Sequence, residues 1–315
     1  MYIAGFDIGG TKCAVILANV NENNIEFLAR EQIETDKSWQ SVIDILCDKL
    51  ILQAQKNNIK ISEIKQCGVS CGGPLDSENG LILSPPNLIG WNNVPICEYL
   101  QNKMGCPVKL KNDADACAVA EWKYGAGKGK NNIVFLTFGT GLGAGLVLNG
   151  QLYIGKNNMA GEIGHIRISS NGPVGYGKSG SFEGFCSGKG IQQQINTYFL
   201  EKEQQGIISK YYKNTDSVTA KDLAFWAEKG DEDALCIFDR VGENFGKGLS
   251  IIIDFLNPEV IIVGGVYMRS YKFMENGMWR ILKKECLSVS LNTVKIHPSQ
   301  LGEKIGDYGA VVASF

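Results

Sequence analysis

Asp7-Ile8-Gly9-Gly10-Thr11-Lys12 gathers a carboxylate, two glycines, a hydroxyl and a cation into one short segment. It lies between two apolar runs, Tyr2–Phe6 and Cys13–Val20, so the pattern is strand, glycine turn, strand. Glycine has no side chain in the way, so backbone N–H groups in such a turn can approach an anion closely. Asp7 can hold Mg²⁺ directly or through its waters. Thr11 and Lys12 add a hydroxyl and a cation aimed at the same place. An acid, a metal and a phosphate cradle together point to a nucleoside triphosphate; the alternative for so short a motif is a plain hairpin turn.

A second glycine segment, Gly139-Thr140-Gly141-Leu142-Gly143-Ala144, follows the apolar strand Asn132–Phe138. It formally matches the dinucleotide pattern G-x-G-x-x-A, with Glu162 near the distance for a ribose contact. That pattern needs a helix after the glycines, whose N-terminus binds pyrophosphate. Here Leu146–Leu148, Asn149-Gly150 and Gln151–Ile154 read as a hairpin. A second phosphate hairpin through Thr140, Gly141 and Gly143 is therefore favoured. Gly68-Val69-Ser70-Cys71-Gly72 formally matches a hydrolase nucleophile elbow, which also needs a following helix, and Gly73-Pro74 argues against one. The turn at Gly73 is read instead as pocket-lining backbone.

Asn112-Asp113 opens an alanine-rich helix reaching Tyr124, directly after the apolar–basic run Val108–Lys111. A carboxylate there is stabilised by the helix N-terminus and suits a base that takes a proton from a hydroxyl attacking phosphorus. A simple N-cap is the other reading of the same residues. Glu162 and His165 stand three apart in Gly161-Glu162-Ile163-Gly164-His165, and Glu183 follows in Ser181-Phe182-Glu183-Gly184. Such donors and acceptors fit a polyhydroxylated ligand, or a satisfied structural pair. Val260–Val263 is a buried-looking strand ended by Gly264-Gly265, where bare backbone could meet adenosine or its phosphates.

The elements around these residues alternate. Tyr2–Gly9, Cys13–Val20 and Ile25–Thr35 read as strands, with Asn21–Asn24 as a turn. Trp39–Lys56 has helical apolar spacing, Gln66–Val69 is a short strand, Leu235–Phe255 a long helix stopped by Asn257-Pro258, and Gly302–Ser314 a closing helix. Each half thus opens on a strand–glycine turn–strand cradle and continues into helices. Two related α/β lobes are expected, with cradles facing across a cleft. The boundary is placed near Ala116–Gly127, where Gly125–Lys130 makes a flexible link. The N-terminal domain is taken as 1–118, completed by the C-terminal helix 302–315, and the C-terminal domain as 119–301.

The bulk composition narrows the classes. The 315 residues suffice for two ordinary domains, and 44% hydrophobic with 20% charged residues is the balance of a soluble globular protein. A net charge of −2 with no Lys/Arg block disfavours a nucleic-acid partner. The 38 glycines are scattered through turns and are not low-complexity. No stretch is long and apolar enough for a membrane span, and no signal peptide is visible. Ten cysteines without Cys-x-x-Cys fit free thiols in a reducing cytoplasm, with Cys13, Cys47, Cys67 and Cys117 read as small buried hydrophobes.

In this order, and over nearly the whole chain, the motifs resemble the ROK family of sugar kinases and related repressors. Those that correspond are the two glycine turns, Cys71-Gly72-Gly73-Pro74, Asn112-Asp113-Ala114-Asp115, Gly161-Glu162-Ile163-Gly164-His165 and Gly264-Gly265. The resemblance implies the two-domain actin-like ATPase (ribonuclease H-like) α/β fold, closing over ATP-Mg²⁺ and a sugar. It implies Asp113 as general base, with Asn112, Glu162, His165 and Glu183 on sugar hydroxyls. Asn87, in Ser84-Pro85-Pro86-Asn87-Leu88, resembles the family's loop at the sugar pocket.

Two departures stand out. The family often carries a zinc site, His followed by C-x-C-G-x-x-G-C-x-E. Here Val174, Tyr176 and Ser181 replace all three cysteines while Gly177, Gly180 and Glu183 remain, and Cys186 is a single thiol. No structural zinc is expected, since Val, Tyr and Ser offer no thiolate. Packing of Tyr176 and Phe182 is expected to hold the loop, leaving His165 to the sugar. The repressors place a helix-turn-helix before the first glycine turn, which here starts at residue 7, so DNA binding is not expected. An ATP-dependent hexose kinase results, with glucose first and N-acetylmannosamine, N-acetylglucosamine, allose or fructose as alternatives. A non-catalytic sugar sensor is the alternative of another class. By analogy alone the enzyme leans to a homodimer.

Overall fold

In the computed structural model, which describes residues 1–36, 38–207 and 218–315, the chain divides into two compact units. The first comprises Met1–Gly129, Gly145–Ala160 and Glu303–Phe315; the second comprises Lys130–Ala144 and Gly161–Gly302.

The first unit is built on β1 (Tyr2–Ile8), β2 (Lys12–Val20), β3 (Ile25–Glu34), β4 (Ile64–Cys71) and β7 (Val108–Asn112), with a small separate pair, β5 (Leu75–Asp76) and β6 (Leu81–Ile82). The sheet order is β3-β2-β1-β4-β7. The first three strands form an antiparallel meander, and β4 and β7 run parallel to β1. Parallel neighbours need crossovers, supplied by α1 (Trp39–Lys56) and α2 (Ile96–Met104). Ser38 caps α1, its Oγ accepting from the Ser41 N–H at 3.4 Å. Val42, Ile43, Leu46, Cys47, Leu50 and Ala54 recur at helical spacing and are buried against Phe6, Val15, Leu17 and Val69 of the sheet.

The other sheet face takes the C-terminal helix (Ile305–Val312), preceded by a short 3-10 turn at Gly302–Lys304. Gly5 and Gly68 stand opposite each other on β1 and β4, leaving a strip without side chains. The helix backbone fills it. A Cβ at Gly5 would lie 2.8 Å from the Val311 nitrogen, and one at Gly68 would collide with the Ala310 carbonyl oxygen. After β7, α3 (Asp113–Tyr124) ends in a fixed turn, because the buried Glu121 Oε2 accepts from the Ala126 N–H at 2.8 Å. The glycine-rich run expected to be flexible therefore begins as an anchored turn.

The second sheet runs β10-β9-β8-β13-β14, from β8 (Ile133–Phe138), β9 (Leu142–Leu148), β10 (Gln151–Tyr153), β13 (Val260–Gly265) and β14 (Lys295–Pro298). The division between the units falls within β9, at Gly145. A two-stranded hairpin, β11 (Val174–Gly175) and β12 (Lys178–Ser179), precedes α4 (Phe182–Phe185) and α5 (Gly188–Gln204). Then come α6 (Ala220–Glu228), α7 (Glu232–Leu256), α8 (Val266–Glu285) and α9 (Ser288–Leu291). Helix α7 starts earlier than its apolar run suggests, because Asp231 caps it through the Ala234 N–H at 3.0 Å. It stops at Asn257, whose φ of 46° is left-handed, and Pro258 follows. Strand β4 is longer than the expected Gln66–Val69, because β1 and β7 flank it on both sides.

The glycine strip predicts a stability effect. Gly68→Ala adds a methyl where helix backbone already sits, and overpacking of this kind costs about 1–3 kcal/mol. Urea unfolding should show a lower midpoint for this variant; an unchanged midpoint would mean that the helix does not seat on the strip.

Candidate active site

In the first unit, the candidate residues collect at the carboxyl ends of parallel strands, the usual ligand position in α/β sheets. Asp7 lies opposite Ser70, and Cys71 opposite Asn112. Asn112 is the N-cap of α3, its Oδ1 accepting from the Ala114 N–H at 2.9 Å. Asp113 is thereby the first helical residue and not the cap. Its Oδ1 also accepts from Ala114, at 2.8 Å. The turn after β4 passes beside both side chains: a Cβ at Gly72 would lie 3.8 Å from Asp113 Oδ2, and one at Gly73 3.4 Å from Asn112 Nδ2.

Charge is crowded here. Burial raises the Asp7 carboxyl to about 6, the neighbouring Asp113 and Asp307 push the same way, and Arg30 opposes them. Asp113 is accessible to solvent yet ringed by protein, and the loss of hydration raises its carboxyl while the Ala114 N–H pulls it down. Arg30 Nε donates to Asp307 Oδ1 at 2.8 Å. A Cβ at Gly306 would lie 3.1 Å from Asp7 Oδ2. Asp307 and Arg30 were not singled out in the sequence, since neither carries a motif and only the fold brings them to Asp7.

The first glycine turn is closed by the Gly9 N–H donating to the Lys12 carbonyl at 3.1 Å. Thr35 braces it, with its Oγ1 donating to the Gly9 carbonyl at 2.8 Å and its N–H to the Thr11 carbonyl at 2.9 Å. Gly10 is pressed against Asn87, so that a Cβ would lie 2.8 Å from the Asn87 Cβ. Lys12 Nζ sits 4.0 Å from Glu34, both exposed, a weak pair. Asp7, Gly9 to Lys12, Gly73, Asn87, Asn112 and Asp113 thus share one end of one sheet.

The second unit gathers the remaining candidates. In the second glycine turn, the Gly139 N–H donates to the Gly141 carbonyl at 3.0 Å and the Gly143 N–H to Thr137 Oγ1 at 3.0 Å. Thr137 was missed; the signal was a lone hydroxyl in an apolar strand just before the glycines. Glu183 Oε2 accepts from the Leu142 N–H at 3.0 Å, so this carboxylate also braces the turn. Gly265, with φ of 72°, abuts the start of the turn, where a Cβ would collide with the Phe138 carbonyl oxygen. Gly188, at the start of α5, donates to the Gly139 carbonyl at 2.8 Å. The Glu162–His165 segment is tied to β9, since the Ala144 N–H donates to the Gly161 carbonyl at 2.8 Å. Thr140, Gly141, Gly143, Glu162, His165, Glu183, Gly264 and Gly265 therefore belong to one connected set.

The loop at the zinc positions differs from expectation. Phe182 is fully buried and its ring lies 5.9 Å from that of Phe245. Tyr176 is at a hairpin tip on the surface, not packed into the core. Among the described residues, no three His, Cys, Asp or Glu side chains are grouped to hold a metal.

The sequence pattern of the ROK family matches residues 3–313. The chain belongs to the ROK family. A glucokinase of Thermotoga maritima is 29% identical over 309 residues, covering 98% of this chain and 95% of that protein. A xylose repressor of Caldicellulosiruptor bescii is 27% identical over 313 residues, covering 98% of this chain and 77% of the repressor. A solved ROK family glucokinase from Streptomyces griseus, in complex with glucose and AMPPNP, matches with a TM-score of 0.80 and 25% identity, covering 100% of this chain and 99% of that one. The ROK chain has the actin-like two-domain ATPase fold.

The raised Asp7 carboxyl has a signed consequence for this ROK protein. Well below its unfolded value of 3.8, Asp7 is neutral in both folded and unfolded chains and carries no penalty. As pH rises from there through about 6, the unfolded chain ionises first and folding loses stability. Without Mg²⁺ or nucleotide, Asp7→Asn should be about 2–3 kcal/mol more stable than wild type at pH 7, with the difference vanishing as the pH falls well below 3.8. Urea midpoints across that range check it, and a difference that does not change with pH would refute it.

Proposed function

We infer that the ROK chain is an ATP-dependent sugar kinase, and we propose glucose as its sugar. The observation that carries this reading is Asp113, held at the start of α3 beside Gly72 and Gly73, on the same sheet end as Asp7 and the first glycine turn. In the proposed reaction, a sugar hydroxyl attacks the γ-phosphoryl group in line. Asp113 takes the hydroxyl proton. Its raised carboxyl makes it a stronger base than a free aspartate. Asn112, Asn87, the Gly73 backbone, Glu162, His165 and Glu183 would bind sugar hydroxyls. With Glu183 Oε2 engaged by Leu142, its other oxygen would meet the sugar.

The glycine turns, including Thr11, Lys12, Thr140, Gly141 and Gly143, would hold phosphates through N–H groups, and Gly264-Gly265 would lie along the nucleotide. Asp7 is the residue that would hold Mg²⁺. A divalent cation suits an acidic cluster whose own charges repel, and bound Mg²⁺ neutralises charge developing on the transferred phosphoryl group. A reducing cytoplasm is proposed as the setting, since all ten cysteines are free. Among the described residues no helix is long and apolar enough to cross a membrane. A homodimer is proposed by analogy only.

Two other readings are kept. The acceptor could be N-acetylmannosamine, N-acetylglucosamine, allose or fructose, because phosphate-binding parts do not report sugar identity. The similarity to a xylose repressor over 98% of this chain supports a sugar sensor without catalysis.

ADP release from Mg-ATP, measured against a panel of hexoses and N-acetylhexosamines, separates them. Turnover with glucose is expected, with Asp113→Asn reducing kcat by about 10²–10⁴-fold. Near-normal turnover in that variant would remove Asp113 from the role of base. ATP binding with no turnover of any sugar would favour the sensor.

A further inference from the structure

The turn between β11 and β12 consists of Tyr176 and Gly177, and both have positive φ, 45° and 74°. A two-residue hairpin of this kind favours Asn-Gly or Gly-Gly, because left-handed backbone crowds a Cβ. A bulky aromatic at the first position is a genuine outlier. Hydrophobic burial does not explain it, since Tyr176 is 63% exposed. What the side chain does instead is stand edge-on to the imidazole of His165, with ring centroids 4.8 Å apart and planes at 74°. Edge-to-face pairs at this separation are favourable.

The rest of the hairpin serves the same neighbourhood. Lys178 Nζ donates to the His165 carbonyl at 2.7 Å. Gln193, on α5, grips Val174 by both backbone groups, accepting from its N–H at 2.8 Å and donating to its carbonyl at 2.9 Å. Ser181 Oγ accepts from the Gly184 N–H at 3.0 Å and donates to the Gly175 carbonyl at 3.4 Å, capping the short helix that carries Glu183. Val174, Tyr176 and Ser181 stand at the three positions where the family's zinc motif, as expected from the sequence, would place cysteines. These residues do not fit zinc: none is a thiolate, and the Ser181 hydroxyl is buried with its hydrogen bonds already made.

We propose that Tyr176 is a positioning residue, an aromatic latch that holds the His165 ring in place. The backbone strain at Tyr176 is retained because only a side chain with a ring can reach and orient the imidazole. The consequence for sugar binding rests on the kinase reading; the ring contact itself does not.

Tyr176→Gly is a clean test, since glycine accepts positive φ and the variant removes the ring without adding strain. The chain has only two histidines, His165 and His297, so their ring protons can be assigned with His165→Gln. In the intact protein, the His165 signals should carry a ring-current shift that is lost in Tyr176→Gly and kept in Tyr176→Phe. In sugar-kinase assays, Tyr176→Gly should raise KM for the sugar about tenfold or more with KM for ATP little changed, and Tyr176→Phe should restore it. An unmoved His165 signal, or an unmoved sugar KM despite the lost shift, overturns the latch. So does stoichiometric zinc in the purified protein that resists chelation. If wild type turns over no sugar, the kinase reading fails, and the histidine spectrum with the metal content still decides whether the latch exists.

Discussion

Three carboxylates, Asp7, Asp113 and Asp307, are held close together at one end of the first sheet, and much of that unit exists to tolerate this. Lost hydration first, and mutual repulsion second, raise the Asp7 carboxyl. Parallel β1, β4 and β7 bring the chain segments carrying Asp7 and Asp113 to the same end. The C-terminal helix brings Asp307, and Arg30 partly offsets it through their hydrogen bond. The surroundings are filled with groups that stay neutral. Burial pushes the thiols of Cys71 and Cys117 up, and the nearby aspartates push them further. Small sulfur side chains kept as thiols beside an acidic cluster add no further negative charge. Arg30 offsets part of this charge, and a bound cation would offset more.

The second unit solves a different problem, holding a bare glycine turn in one shape. It uses backbone partners from separate elements: Gly188 at the start of α5, Thr137 within β8, and Glu183 from α4. Gly265 closes the underside at the end of β13. Glu183 thus serves two purposes, since one oxygen braces the turn and the other is proposed for the sugar. On that proposal, a carboxylate placed in this way would couple the shape of the glycine turn to the occupancy of a sugar site.

What could be read in the sequence tracks how local its cause is. The two glycine turns, the Asn149-Gly150 hairpin and the α3 cap at Asn112 all follow from neighbouring residues. Helix α1 was legible because its apolar residues recur on one face. The longer β4 was not, because burial between β1 and β7 decides its length. Helices α2, α5 and α8 were not anticipated, although each carries an apolar stripe at helical spacing: Ile96, Leu100 and Met104; Ile191, Ile195, Tyr198 and Phe199; Tyr267, Met274, Met278 and Leu282. Among site residues, Asp7, Asn112 and Asp113 sit in recognisable patterns and Thr137 serves the glycine turn that directly follows it, whereas Asp307 and Arg30 gain meaning only from neighbours far away in sequence. Tyr176 was noticed for what it replaced, and its contact with His165 required the fold.

The strip of Gly5 and Gly68 beneath the C-terminal helix has a consequence for how the chain is made. The first unit joins Met1–Gly129 to Glu303–Phe315, a segment made only after all of the second unit. The second unit, ending at Gly302, has all of its residues before that helix emerges. The usual order, in which the N-terminal domain folds first during synthesis, is therefore reversed for completion. Throughout translation of the second unit, the nascent first sheet waits with one face uncovered, and that interval is when it is open to chaperones, proteases and wrong partners.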